Sequence, residues 1–255
     1  MLVSKIEKMI KDIESLLDDD NTKEEEIGES SSTGVKGVNS SFRLTNKENK
    51  KFIFKPSNGE HTSKWRYVPP HEQYTRERAA YLVDKCLTWG LVPHTIIKTH
   101  DDEIGSLQDW VTGTTKSDKT LESYLPQYIW KAGLFDILIG NIDRHSKNWF
   151  TMKDKPILID HGYSFPVSAE ENDQRSVILS RFAYRIWKKP IPNILYEDIK
   201  HLKDSELQEH IKSLVGIKAF KLFNERLNTL LNTKVAYVSN YNCTERVTKA
   251  PKKKE

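Results

Sequence analysis

DILIGNIDRHSKNWFTMKDKPILIDHG, residues 136–162, alternates apolar segments with a polar loop. Asp143, Asn148 and Asp160 follow in the order carboxylate, carboxamide, carboxylate, with Asn148 five residues after Asp143. The segment QYIWKAGLFDILIG (127–140) places Leu134 and Leu138 four apart among Ile129, Ala132, Phe135, Ile137 and Ile139, the pattern of a largely buried helix. Gly140 ends that helix and Asn141 starts a turn. Beyond Trp149-Phe150 and a polar turn at Lys153-Asp154-Lys155-Pro156, the run Ile157-Leu158-Ile159 reads as a short buried strand. It delivers Asp160 to its end, where His161-Gly162 lets the backbone turn sharply. A buried helix that ends in a polar loop is a rigid mount for reactive groups. Asp and Asn are the hard oxygen donors that suit Mg²⁺.

The Asp-to-Asn offset equals that of a catalytic loop of the form HRDxxxxN, in which a metal-binding Asp follows after the next hairpin. Taken alone, Asp-Arg-His is more often a solvated loop with an ion pair. The whole arrangement GNxDRHxxN…LIDHG between buried segments favours phosphoryl transfer. His145 either supports the loop by hydrogen bonding or touches phosphate. A metal-ligand role suits it less, because no second His or Cys stands at zinc spacing.

The run GNIDRHSKNW…LIDHGYSFP resembles the bacterial and archaeal branch of the phosphatidylinositol 3- and 4-kinase-like superfamily, to which the HipA-type kinases are related. The likeness extends from about Gly34 to Pro166. It implies that Asp143 acts as base or substrate orienter and that Asn148 and Asp160 hold metal. The order Asp-Arg-His reverses that of ordinary protein kinases and points to the atypical branch.

Such an enzyme needs a phosphate lysine, an acidic partner for it, a phosphate-covering loop and an adenine hinge. Lys51-Phe52-Ile53-Phe54-Lys55-Pro56 alternates like a strand, with Phe52 and Phe54 on one side and Ile53 and Lys55 on the other. Lys55 is the candidate phosphate lysine. GxxxxGK[ST] is absent, which excludes a P-loop enzyme. HEQYTRERAAYLVDKCL (71–87) is a helical segment in which Glu77 can point inward beside Ala80, Val83 and Leu87. Glu77 is the chosen partner of Lys55, and Glu72 the alternative. Gly34 and Gly37, in a Ser-rich stretch before two strands, suit a phosphate-covering hairpin, although such stretches also serve as flexible linkers. Ser30, Ser31 and Ser32 there are candidate autophosphorylation sites. Strands over Val92–Ile97 and Gly105–Val111, separated by a charged turn at Thr99–Glu103, lead to a hinge. Gln108, Trp110 and Val111 are its candidate adenine contacts, Trp110 being equally suited to a core.

The chain has 255 residues, 40 basic against 36 acidic, a balance of +4 too small to require nucleic acid. The length suits two lobes sharing a cleft. Cys86 and Cys243 suggest no disulfide framework, which fits a reducing cytosol. The N-terminal segment MLVSKIEKMIKDIESLL is too polar to span a membrane and reads as an amphipathic helix. The runs Asp18-Asp19-Asp20 and Glu24-Glu25-Glu26 read as an acidic linker. After Pro166, segments near 172–188, 195–202, 204–215 and 217–231 read as helices.

The expectation is therefore an α+β, two-lobed, protein-kinase-like fold. Residues 1–26 form the amphipathic helix and linker, 27–111 a small sheet lobe with one helix, 112–243 a larger, mainly helical lobe, and 244–255 a basic tail. The expected cofactors are ATP and Mg²⁺. The acceptor is an unidentified hydroxyl, protein Ser/Thr favoured over an inositol lipid or a small metabolite. A catalytically silent nucleotide-binding module and a metal-dependent hydrolase are the competing classes.

Overall fold

The computed structural model describes residues 23–26, 40–60, 68–112, 115–116, 121–167, 176–238 and 241–244. The expected amphipathic helix, Gly34, Gly37, the Ser30–Ser32 run and the basic tail lie outside them.

A five-stranded antiparallel sheet forms the small lobe, in the order β1 (Lys23–Glu26), β2 (Phe42–Thr45), β3 (Lys51–Pro56), β5 (Glu103–Asp109), β4 (Thr95–His100). The glutamates expected in an acidic linker are instead the edge strand β1, paired with β2 from Lys23 opposite Thr45 to Glu26 opposite Phe42. The β2–β3 turn is shaped by Asn46, whose side-chain oxygen accepts from the amides of Glu48 and Lys50. The β4–β5 hairpin closes with two residues, Asp101 and Asp102, both at positive φ, as a turn matching the strand twist requires. Alternation along β3 sends Phe52 and Phe54 into a cluster with Leu44, Ile96 and Leu107. Lys55, opposite Ser106, takes the other face.

That face is met by α1 (Gln73–Leu87). Its N-terminus has no side-chain cap of its own; the Glu60 carboxylate accepts from the amides of Gln73 and Tyr74 at 2.9 and 2.8 Å. Ala79, Ala80, Val83 and Leu87 turn away from the sheet into the core of the large lobe, so α1 bridges the two lobes. Asp84 fastens its C-terminal half by accepting from the Val92 amide at 3.0 Å.

Burial pushes the Asp84 carboxyl up to about 6, against the opposing pull of two backbone amides and of Lys155 and Lys131. The folded state then keeps a proton that the unfolded chain loses near pH 4. Stability falls as pH rises through the window from about 4 to 6, and the full cost of the buried charge is present above it. Asp84→Asn is therefore expected to stabilise the protein at pH 7.5 by about 1–3 kcal/mol. The gain should vanish at pH 4, and urea melts at the two pH values measure it.

The large lobe is built on α2 (Pro126–Ile139), which starts with proline at its first turn and ends at Gly140 in the left-handed conformation. Leu134, Phe135, Ile137, Leu138 and Ile139 are fully buried, each worth about 1.5–3 kcal/mol on transfer from water. A three-stranded sheet, β6 (Thr115–Lys116), β7 (Trp149–Met152) and β8 (Lys155–Leu158), carries the hairpin after the polar loop. The segment expected as one helix over 172–188 is divided. Ser176–Leu179 is strand β9, parallel to β10 (Tyr241–Thr244), and α3 (Arg181–Ile186) starts only after the Ser180 cap, whose hydroxyl accepts from the Ala183 amide. Ser180 also gives its hydroxyl proton to Asp136, which explains the break at that point. Helices α4 (Asn193–Lys200) and α5 (Ser205–Thr233) complete the lobe. Asp204 caps α5, and Gly216 at φ 79° kinks it between the two helices expected at 204–215 and 217–231.

One close approach places the lysine strand. A Cβ on Gly105 would lie 2.3 Å from the Lys55 carbonyl oxygen. Gly105→Ala must pry β5 from β3 beside Lys55, with an expected cost of about 1–3 kcal/mol. A urea midpoint unchanged from wild type would show that the sheet absorbs the methyl group.

Candidate active site

Lys55 arrives from the end of β3 and Glu77 from the second turn of α1. Lys55 Nζ stands 2.6 Å from Glu77 Oε1 and 3.3 Å from Asp160 Oδ1. The alternative partner, Glu72, pairs instead with Arg76 at 2.8 Å. Burial opposes the charge on Lys55, but the Asp160 and Glu77 carboxylates more than offset it and hold its pKa above the ordinary lysine range. Burial likewise opposes ionisation of Glu77; Lys55 and His161 outweigh it and keep the carboxyl well below its usual range. The ammonium is a fixed cation at the wall of a cleft that Ser40, Glu60, Gln73, Tyr74, Ser106 and Asp160 also line.

The polar loop after α2 is organised by its own backbone. Asn141 Oδ1 accepts from the Asp143 amide at 2.8 Å, and Asn148 Nδ2 donates to the Asp143 carbonyl at 2.8 Å. Asp143, His145 and Asn148 are thereby held in one closed turn. His145 Nδ1 accepts from the Lys147 amide at 3.1 Å, so a neutral ring carries its proton on Nε2, which stands 3.7 Å from Asp143 Oδ2. The Ile159 amide donates to the Asn148 carbonyl at 3.1 Å, and this ties the segment between β8 and Asp160 to the loop. Asp160 itself has φ 59°, a conformation uncommon for a residue with a side chain, and its carboxylate is partly exposed toward Lys55.

Arg144, between Asp143 and His145, is not part of a solvated loop. It is fully buried and joins three groups through four oxygens. Its Nε lies 3.2 and 3.3 Å from the two oxygens of Asp136 on α2, and Nη1 donates to the carbonyls of Asn148 and Ile159 at 2.6 and 2.5 Å. On the far side, Arg226 of α5 is also fully buried. It donates to the Leu138 carbonyl and to Tyr241 Oη, both at 2.9 Å, and lies against Gly140. A cation at the end of α2 satisfies an orphan carbonyl and meets the negative end of the helix dipole.

The expected hinge residues are more engaged with the sheet than the sequence suggests. Gln108 is buried and its amide donates to Thr95 Oγ1 at 2.8 Å. The Trp110 amide donates to the Lys51 carbonyl at 3.0 Å, and its ring is 36% exposed beneath the Arg43 guanidinium, not in the core. Val111 follows half-buried, next to the end of the sheet.

Sequence reasoning missed three groups that hold the site. Glu60 and His161 stand in turn-like stretches that name no partner, and nothing in the sequence around Arg226 marks it. Asp136 does carry a signal in the sequence, since a single carboxylate inside an apolar helical run must find a buried partner.

Chains of similar fold are known. Crystal structures of the Golgi casein kinase, one of them with Mn/ADP bound, superpose with a TM-score of 0.51 at 14% identity. The first covers 77% of this chain and 70% of that one, the second 78% and 70%. Protein Rv2133c of Mycobacterium tuberculosis is 27% identical over 224 residues, 72% of this chain and 77% of its own length. The small antiparallel sheet, the bridging helix and the mainly helical second lobe define a kinase-like fold. Residues 35–243 match the model of the phosphatidylinositol 3- and 4-kinase family, and the chain belongs to that family of phosphotransferases.

Proposed function

We propose that the protein transfers the γ-phosphate of ATP, with a divalent cation, to a hydroxyl of a protein serine or threonine, its own included. The observation that carries this reading is the Lys55 ammonium held between Glu77 and Asp160 at the wall of the cleft. A fixed cation facing a carboxylate at the end of a strand is what a triphosphate and its metal require. Two lobes, divided near residues 111 and 112, share that cleft.

The donor set fits Mg²⁺ or Mn²⁺. Asn148 commits its NH₂ to the Asp143 carbonyl, which leaves its side-chain oxygen as the ligand, and Asp160 offers a partly exposed carboxylate. Two protein oxygens, with phosphate and water completing the shell, are the usual complement for Mg²⁺. When bound, the cation neutralises charge on the phosphates. Lys55 adds a second positive charge to them, and Glu77 keeps that charge in place. Asp143 orients the acceptor hydroxyl and takes its proton. His145, with its proton on Nε2, donates toward phosphate oxygen. Positioning and charge neutralisation supply most of the rate. Val111, past the end of β5, is the backbone position for adenine.

Protein is the favoured acceptor because the superposable structures are of a casein kinase, whose name specifies a protein substrate. Among the described residues no helix is long and apolar enough to cross a membrane. The reading is tested by titrating ATP in the presence of Mg²⁺ or Mn²⁺ and following ADP formation. Turnover abolished by EDTA and restored by added metal is expected. Turnover unaffected by EDTA would contradict the assignment of Asn148 and Asp160. Vesicles containing phosphatidylinositol, supplied in parallel, reveal lipid phosphorylation if the acceptor is a lipid.

A further inference from the structure

His161 is fully buried, and its Nδ1 stands 3.2 Å from Glu77 Oε2. Glu77 thus uses one oxygen for Lys55 and the other for this ring. The imidazole meets the Phe135 ring edge-on, with centroids 5.8 Å apart, so α2 fixes its plane. Its Nε2 has no hydrogen-bond partner among the described residues. With an acceptor in front of Nδ1 and none at Nε2 among those residues, the ring places its N–H at Nδ1 toward Glu77. The segment is clamped to α1 at a second point: a Cβ on Gly162 would lie 2.8 Å from the Gln73 side-chain oxygen, and Gln73 is one turn before Glu77.

We infer that His161 is a positioning residue: by donating to Glu77 it locks α1 to the Asp160 segment, so that Lys55 and Asp160 keep one fixed relation. Without that donor Glu77 loses the contact that holds its second oxygen, and it turns away from Lys55. The ammonium then has Asp160 as its remaining partner and moves onto it, the carboxylate assigned to the metal. The inference rests on the proposed reaction for its kinetic consequence but not for the contact itself.

Two variants separate a donor from a space-filler. His161→Phe keeps a ring against Phe135 and removes the N–H. His161→Asn removes the ring and keeps an N–H where Nδ1 stands. Outer contacts of this kind are worth about 10–100-fold. The Phe variant is expected to lose that much in kcat/KM for ATP, with kcat itself reduced, while the Asn variant stays within about threefold of wild type. A role in packing alone reverses the order, and Asn then does more damage. Either that reversal or a Phe variant with wild-type kcat/KM overturns the inference.

The contact is also read without turnover, by proton and nitrogen NMR of histidine-labelled protein. An exchange-protected Nδ1–H is expected in the wild type, absent in His161→Phe and shifted in Glu77→Ala. An unprotonated Nδ1, or a signal that Glu77→Ala leaves unmoved, overturns the inference even in a protein that transfers phosphate. If the wild type transfers none, the proposed function fails and the NMR result still decides whether the latch exists.

Discussion

Lys55→Met is expected to reduce ATP-dependent phosphoryl transfer by about 10²–10³-fold, the range found when one preorganised electrostatic donor is removed from an active site. The substitution keeps an unbranched apolar stem and removes the terminal ammonium. What disappears is the cation 2.6 Å from Glu77 and 3.3 Å from Asp160. Two carboxylates then face one cleft with no cation between them, and the triphosphate that must enter adds to the repulsion. The metal cannot replace the lysine, because Glu77 lies deeper, buried against His161. Lys55→Arg is expected to rescue poorly, since a planar fork does not fit where a compact ammonium sits between two carboxylates. Initial rates at saturating ATP provide the measurement. A Met variant that retains a tenth or more of wild-type turnover would show that Lys55 does not carry the phosphate contact.

Arg144→Leu is expected to destabilise the fold by about 3–5 kcal/mol, the cost of leaving a buried charge without its partner. Leucine fills part of the space but leaves Asp136 with the Ser180 hydroxyl alone, strands the Ile159 carbonyl and leaves the Asn148 carbonyl only the Ile159 amide. The damage joins the two halves of the site, since Arg144 is what holds the loop of Asp143 and Asn148 to the strand of Asp160. Arg144→Lys cannot reach all four acceptors from a single nitrogen. The double variant Asp136→Asn/Arg144→Leu removes both buried charges, and about half the loss or more should return. Urea unfolding of the three variants measures these differences. A loss below about 1 kcal/mol in Arg144→Leu would mean that water replaces the guanidinium.

Much of the site could be read from residues 136–162 because its parts are local in sequence. A buried helix ended by glycine, a loop with fixed Asp-to-Asn spacing and a strand delivering an aspartate each leave a pattern within a few turns of chain. The Lys55–Glu77 contact was also within reach, since alternation along β3 and the apolar face of α1 restrict which side chains can meet. Contacts across long sequence separations were not legible. Arg226 meets Leu138 at a distance of 88 residues, and nothing near either one announces it. The strand character of Lys23–Glu26 was hidden by three consecutive glutamates, which read as a solvated run; pairing with β2 overrides that local preference. The break in the 172–188 segment was equally hidden, because it depends on Ser180 meeting Asp136 across the fold.

Lys55, Asp143, Asn148 and Asp160 are proposed to form a working phosphotransfer site, and intact mass is the decisive measurement. Wild type, Asp143→Asn and Asp160→Asn are incubated with ATP and Mg²⁺ or Mn²⁺, alone and with casein as a protein acceptor, and every chain is weighed. Phosphate is expected on the wild-type chain or on the acceptor, and none with either variant. Phosphate gained equally by all three proteins would contradict it, as would a wild type that binds no nucleotide.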